Sequence, residues 1–184
     1  MNELGEICDE VWKLLAEAVT DESSPWRIFS LATLGDDEWP TVRQVVLRGV
    51  GCERRELIFS TDPRTPKWVQ LQVNPRAEVL FWDEVKKVQL RCRVSARCHE
   101  GDELARAYQE QMPAHLAGDF AALSIPGSRI QDAASGHELG EDWSFGVVIL
   151  EVTEMDWLEL GRLGHRRVRF LLQDERWVGS WVQP

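Results

Sequence analysis

TVRQVVLRGVGCERRELIFSTDPRTPK, residues 41–67, reads as two strands and the start of a helix. Val42 to Arg48 are mostly β-branched or apolar, which favours a strand, and alternation puts Arg43, Val45 and Leu47 on one face and Val46 and Arg48 on the other. Gly49 and Gly51 bracket a turn, and Leu57 to Ser60 form the returning strand of a hairpin. Beyond Ser60 and Thr61, Thr65 is placed to cap a helix, with Pro66 at its first position and Lys67 in its first turn. A helix start offers free N–H groups and a positive dipole end, so Thr61, Lys67, Arg43 and Arg48 together make a seat for a phosphate. Solvated surface cations produce the same spacing, so both readings stand on pattern alone.

Outward from that stretch the signals alternate between strand and short helix. Glu3 to Val19 carries apolar residues at helical spacing, Trp26 to Leu34 alternates as a strand, and Gly35 to Glu38 turns the chain. The helix begun at Pro66 stops at Asn74, because a residue before proline avoids helical geometry. Ala77 to Trp82 and Val85 to Cys98 read as strands, the second with Val88, Leu90, Cys92 and Val94 on one side and Gln89, Arg91, Arg93 and Ser95 on the other. Gly101 to Met112 and Ala114 to Leu123 are helical by spacing, followed by a polar loop from Ser124 to Asp142. Phe145 to Val152, Trp157 to Leu160, Val168 to Leu172 and Trp177 to Val182 complete a set of short strands, which predicts a small antiparallel barrel with helices packed outside.

A chain of 184 residues with 43% hydrophobic and 28% charged residues has the size and composition of a single globular domain spanning 1–184. Its net charge of -10 opposes nonspecific contact with nucleic acid or an anionic membrane surface, while leaving room for a small anion in a local basic pocket. Cys8, Cys52, Cys92 and Cys98 show no CxxC spacing, so buried thiols are expected in place of disulfides or a metal site. The amino-terminal MNELGEICDEVW carries acids where a leader would carry bases, and no run of 18 apolar residues occurs, so a cytoplasmic protein is expected.

The ordered set of motifs from Trp26 to Pro184 resembles the FMN-binding split-barrel family that includes pyridoxamine 5'-phosphate oxidase, and is closer to its oxidase-related subgroup than to the oxidase itself. Arg43-Gln44-Val45-Val46-Leu47-Arg48 is similar to the family strand whose arginine and backbone contact the flavin. Phe59-Ser60-Thr61-Asp62 with Thr65-Pro66-Lys67 resembles the turn that holds its phosphate. Asn74-Pro75-Arg76-Ala77, Phe81-Trp82 and Gln89-Leu90-Arg91 resemble the segment whose glutamine reaches the isoalloxazine edge. Trp157 with His165, Arg167 and Phe170 resembles the pattern in which a tryptophan and an arginine line the flavin, and Trp177 to Pro184 resembles the closing strand.

The resemblance implies a mainly β, Greek-key split barrel with flanking helices, FMN as cofactor, and a homodimer with flavin at the interface. The cofactor contacts carried over are Arg43, Gln44, Val45, Val46, Arg48, Ser60, Thr61, Lys67, Gln89, Trp157 and Arg167; Ser128 and His165 fall at substrate positions. No acid or base is named, because the flavin carries the redox chemistry. The sequence departs from the oxidase pattern at Pro66, where an arginine is usual, and at Phe120, Ser124 and Leu163, where the substrate phosphate is gripped. A glutamine–serine pair supplied by the neighbouring subunit falls at His137–Glu138. The implied function is an FMN-dependent oxidoreductase of unknown small substrate; the alternatives are a true pyridoxamine/pyridoxine 5'-phosphate oxidase with an altered clamp and a non-catalytic flavin-binding protein.

Overall fold

The computed structural model describes residues 3–35, 38–133, 138–140 and 142–184. After helix α1 (Glu3–Thr20) come strands β1 (Ile28–Leu34), β2 (Pro40–Val46), β3 (Gly49–Gly51) and β4 (Glu56–Thr61), then helix α2 (Pro66–Val73). Strands β5 (Arg76–Asp83) and β6 (Val88–Glu100) lead to helix α3 (Glu103–Glu110) and a 3-10 helix at Ala114–Phe120. The chain returns through β7 (Gly146–Glu159), β8 (Arg166–Gln173) and β9 (Arg176–Trp181). Every strand pairing is antiparallel, in the order β2-β1-β5-β6-β7-β4-β3, with β8 paired to β7 and β9 to β8.

One bent run, residues 40–51, supplies both ends of that order. Its first part pairs with β1 from Leu34↔Pro40 to Ile28↔Val46. At the bend the Leu47 N–H still donates to the Arg27 carbonyl at 2.8 Å, while the Arg48 N–H donates to Ile58 on β4 at 2.7 Å. The sheet therefore wraps onto itself through this run, the arrangement the sequence pattern predicts. Fully buried Phe29, Leu31, Leu57, Phe59, Phe81, Leu90 and Leu150 fill the interior, with Phe29 and Phe81 rings 4.9 Å apart. Helix α1 lays Cys8, Val11, Trp12, Leu15 and Ala18 onto the barrel.

Three sequence expectations are corrected. The turn between β3 and β4 lies at residues 52–55, and Gly49 and Gly51 pair within β3 opposite Ile58 and Glu56. Glycine at 49 permits close approach: a Cβ there would stand 3.1 Å from Tyr108 Oη and 3.3 Å from Ile58 Cδ1. The β6 strand begins at Val88, not Val85, because the Asp83 carboxylate accepts from the Val85 and Lys86 N–H groups at 2.9 and 2.8 Å and closes a turn there.

Residues 146–159, read as two strands with a charged break, form the single strand β7. A register shift between Arg93 and Val94 absorbs the irregularity, and β7 then leaves β4 for β8 without stopping. Of the cysteines, Cys8 and Cys92 are buried as expected, while Cys52 is exposed. Burial raises the Cys8 thiol to about 11 and pushes Cys92 higher still, so neither is a thiolate near neutrality. Among the described residues no helix is long and apolar enough to cross a membrane.

Candidate functional site

Arg43 is the inward-facing cation of β2, and neutral acceptors hold it. Its Nη1 donates to Thr33 Oγ1 at 2.6 Å and to the Leu31 carbonyl at 3.2 Å, and its Nη2 to Thr41 Oγ1 at 2.7 Å and Gln70 Oε1 at 3.2 Å. Four of the five guanidinium N–H groups are thereby fixed, while no carboxylate among the described residues pairs with the charge. Thr33 and Thr41 face each other across β1 and β2, and Gln70 reaches them from α2, with Thr33 Oγ1 2.6 Å from its carbonyl oxygen. The guanidinium is locked to both the barrel wall and the helix.

Lys67 stands at the start of α2 beside it. Burial lowers its ammonium pKa, the Arg43 charge lowers it further, and Asp62 acts in the opposite direction. Among the described residues Lys67 has no hydrogen-bond or ion-pair partner, because Asp62 is committed to Arg64 at 2.6 Å. Two adjacent cations, neither paired with a carboxylate among the described residues, in a chain of net charge -10, fit a phosphate dianion. The early N–H groups of α2, which has Pro66 at its start, add donors without charge.

Thr61 and Thr65 serve the seat indirectly. Thr65 flanks α2 but does not cap it; its hydroxyl donates to the Asp62 carbonyl at 2.7 Å, and Thr61 Oγ1 lies 3.4 Å from it. Both residues are buried, so they hold the turn that presents Lys67. That correction to the capping expectation arises because the hydroxyl finds a carbonyl one turn earlier.

Arg48 goes elsewhere. It lines a cavity of about 160 Å³ with Ser60, Tyr108 and Phe120 on the far side of β4 from the Thr61 hydroxyl. Burial lowers its pKa and Arg27 adds to the effect, while Asp119 and Glu22 oppose it through space. The sequence placed Arg48 on the opposite face from Arg43, and the structure keeps the two cations in separate sites.

Gln89, Leu158 and Arg167 form one outward row across β6, β7 and β8. Arg167 does not extend freely from it: the Asp156 carboxylate accepts from its Nε at 2.9 Å and Nη2 at 2.7 Å, and also from Arg91 Nη2 at 2.5 Å. Arg93 and Arg169 grip Glu154 in the next row. Burial raises the Asp156 pKa, but the hydrogen bonds and charges of Arg167 and Arg91 outweigh it, and the net shift is downward.

A carboxylate depressed by folding adds stability above its unfolded pKa and loses it as the pH falls through the folded value. Asp156→Asn is therefore expected to lower the urea midpoint at neutral pH, with the gap from wild type closing below the usual carboxylate range. A gap that stays constant down to acid denaturation would show that the carboxylate charge is not what matters.

Trp157 does not join this row. Register places it opposite Leu90 and Val168, on the core face, where it is 7% exposed and carries the Arg166 guanidinium 5.5 Å from its ring centroid. Trp157 and the Gln89–Leu158–Arg167 row therefore lie on opposite faces of the sheet, since neighbouring strand residues face opposite ways. Val45 is buried in the core, Val46 is half-buried, and Gln44 donates to Ser30 Oγ at 3.1 Å on the outer face. Ser128 is exposed in the long loop and His165 in the β7–β8 turn. Of His137–Glu138, His137 lies outside the described residues, and Glu138 is exposed. Sequence reasoning missed Thr33, Thr41, Gln70 and Asp156; the available signal was that Thr41 shares the inward face of Arg43.

The family model for the pyridoxamine 5'-phosphate oxidase FMN-binding domain matches residues 9–100, half of the chain. The chain belongs to that family. FMN is its cofactor. Among curated relatives of this FMN-binding family, a pyridoxine/pyridoxamine 5'-phosphate oxidase of Hyphomonas neptunium is 29% identical over 182 residues, covering 91% of this chain and 80% of that one. A solved structure of a pyridoxamine 5'-phosphate oxidase-related, FMN-binding protein from Nostoc punctiforme superposes with a TM-score of 0.76 at 22% identity, covering 100% of this chain and 99% of that one. PhzG from Burkholderia lata, crystallised with tetrahydrophenazine-1-carboxylic acid, gives 0.74 at 19% identity, covering 100% and 94%. These two likenesses establish the split-barrel fold.

Proposed function

We propose that this FMN-binding, pyridoxamine 5'-phosphate oxidase-like protein is an FMN-dependent oxidoreductase of a small molecule, working as a homodimer with flavin at the subunit interface. The observation that carries the reading is the pair of Arg43 on β2 and Lys67 at the start of α2, neither of them ion-paired among the described residues. Bound there, FMN supplies the electron-accepting isoalloxazine. Lys67 and the remaining Arg43 N–H bind the phosphate, the Thr61–Thr65 turn holds Lys67 in place, and Gln89 offers an amide on the outer face toward the ring system. Arg167, fixed by Asp156, presents a positive edge in the same row.

A second subunit is supported by the outer face of β1, β2 and β5, where Ile28, Leu34, Val42 and Trp82 are exposed beside the Arg–carboxylate rows. The reading as a pyridoxamine 5'-phosphate oxidase is less favoured, because Phe120 is buried edge-on against Phe145, 5.0 Å between centroids, with no hydroxyl to offer a substrate phosphate.

The purified protein is expected to be yellow, with a flavin spectrum and FMN released on denaturation. Photoreduction followed by reoxidation with candidate acceptors separates an enzyme from a carrier, and peroxide formation from pyridoxamine 5'-phosphate tests the oxidase. Colourless protein that takes up no added FMN would sink the proposal.

A further inference from the structure

We infer that Arg64 is a positioning residue: its guanidinium ties the chain at Ala122 and Leu123 to the turn that carries Lys67, and holds the Asp62 carboxylate away from that lysine. The cofactor's phosphate and the segment bearing Ser128 are thereby coupled through one side chain, a coupling that rests on Lys67 as the phosphate ligand. Arg64 Nε lies 3.1 Å from each Asp62 carboxylate oxygen, and Nη2 donates to Oδ2 at 2.6 Å. Nη2 also donates to the Ala122 carbonyl at 2.6 Å, and Nη1 to the Leu123 carbonyl at 3.4 Å. A planar fork of five donors serves a carboxylate and two carbonyls at once, a geometry that the compact ammonium of a lysine does not match.

Asp62 decides whether the seat stays cationic. It is 5% exposed, and its charge acts on Lys67. A buried carboxylate stripped of its partner is costly and turns to another cation within reach. An ion pair with Lys67 would cancel the charge offered to a phosphate. Arg64 prevents this with its side chain and with its own backbone N–H, which donates to Asp62 Oδ1 at 2.7 Å. The Asp62 carbonyl meanwhile accepts from the Thr65 hydroxyl and N–H at 2.7 and 3.1 Å. Asp62 is kept in the turn and out of the seat.

The other side of the guanidinium fixes where the long loop runs. Ala122 bridges Leu139, with the Gly140 N–H donating to the Ala121 carbonyl at 2.7 Å and the Leu123 N–H to the Glu138 carbonyl at 2.9 Å. One edge of this stretch is thus occupied, and the other gives the Ala122 carbonyl to Arg64. Ile125 to Ser128 then make a turn, the Ser128 N–H donating to the Ile125 carbonyl at 3.0 Å with Gly127 at φ +88° after Pro126, as a type II turn requires. Gly127 returns onto Pro66, where a Cβ would stand 3.7 Å from Cγ. The arc 122–127 therefore meets the phosphate turn at both ends, and Ser128 is the next residue. By linkage, a phosphate that orders the turn orders the arc, and releasing the arc weakens the cofactor.

FMN titration and amide hydrogen exchange are compared in wild type, Arg64→Met and the double variant Arg64→Met/Asp62→Asn. Arg64→Met is expected to weaken FMN by about tenfold or more, the scale of a hydrogen bond to a charged group. Adding Asp62→Asn should recover most of that loss, because asparagine keeps the acceptor for the N–H of residue 64 and drops the charge. Exchange at the Leu123 and Ser128 amides should quicken by about tenfold or more in both variants, with FMN bound or absent. An ion pair that only stabilises the fold would lower the unfolding midpoint with no recovery of FMN affinity on adding Asp62→Asn. Arg64→Lys, which keeps the charge and loses the fork, should hold FMN near wild type yet quicken the exchange, and serves if the methionine variant folds poorly. Unchanged exchange in these variants, unchanged FMN affinity in Arg64→Met, or a loss that Asp62→Asn does not recover overturns the inference. If Lys67→Ala also leaves FMN affinity unchanged, the phosphate reading falls with it; if Lys67→Ala weakens FMN while Arg64→Met does not, the role of Arg64 alone fails.

Discussion

Lys67→Ala is expected to weaken FMN binding by about 1.5–3 kcal/mol, the range for a hydrogen bond to a charged group. Lys67 has no described partner of its own, so its loss removes a ligand contact and leaves the barrel intact. Arg43→Ala should weaken FMN by a similar amount and also destabilise the apoprotein, because it strips Thr33, Thr41 and Gln70 of a shared donor. Equilibrium flavin titration and urea unfolding of both variants separate the two effects. The assignment fails if flavin affinity is unchanged in both. Combining the substitutions should give less than the sum of the single losses, since each removes a like charge that burdens the other.

Trp68→Ala should cost about 3–5 kcal/mol of folding stability, as for other large aromatic truncations in cores. Trp68 is 3% exposed and is a buried anchor of α2, a helix with few others. Its ring lies against the backbone of Gly146, where an added Cβ would stand 2.5 Å from Trp68 Cζ3. Truncation leaves a void between α2 and the start of β7 and frees the turn that carries Lys67. Thermal unfolding and FMN titration should therefore fall together in this variant, whereas in Lys67→Ala only the second should move. A Trp68→Ala protein with wild-type stability would show that α2 is held by other contacts.

Much of this was legible in the residues because period-two alternation is a local property. The inward Val88, Leu90, Cys92 and Val94 and the outward Gln89, Arg91 and Arg93 stand in β6 as the pattern predicts. The readings that failed depended on distant partners. Gly49 resembles a turn residue until Tyr108 is placed over it, and Glu154 and Asp156 resemble a strand break until Arg169, Arg91 and Arg167 are brought across from β8 and β6. Motif spacing does not say which face Trp157 takes; the register with Leu90 does. Arg43 and Lys67 could be nominated from sequence; that Gln70 ties them to one frame needed α2 docked on the sheet.

The bend at Leu47 and Arg48 carries a further consequence for how such a chain tolerates change. Arg43 lies within β2, whereas Arg48 lies past its end, where the Leu47 and Arg48 N–H groups turn from Arg27 to Ile58, so the bend directs one guanidinium toward Gln70 of α2 and the other into the cavity beside Ser60 and Tyr108. Adding or deleting a residue at the bend would cost the backbone bond to Arg27 or the one to Ile58 and displace one of the two guanidinium groups from its surroundings. The division of labour between the two arginines is thus written in the bend of the backbone, and substitution at either position alone cannot exchange their roles.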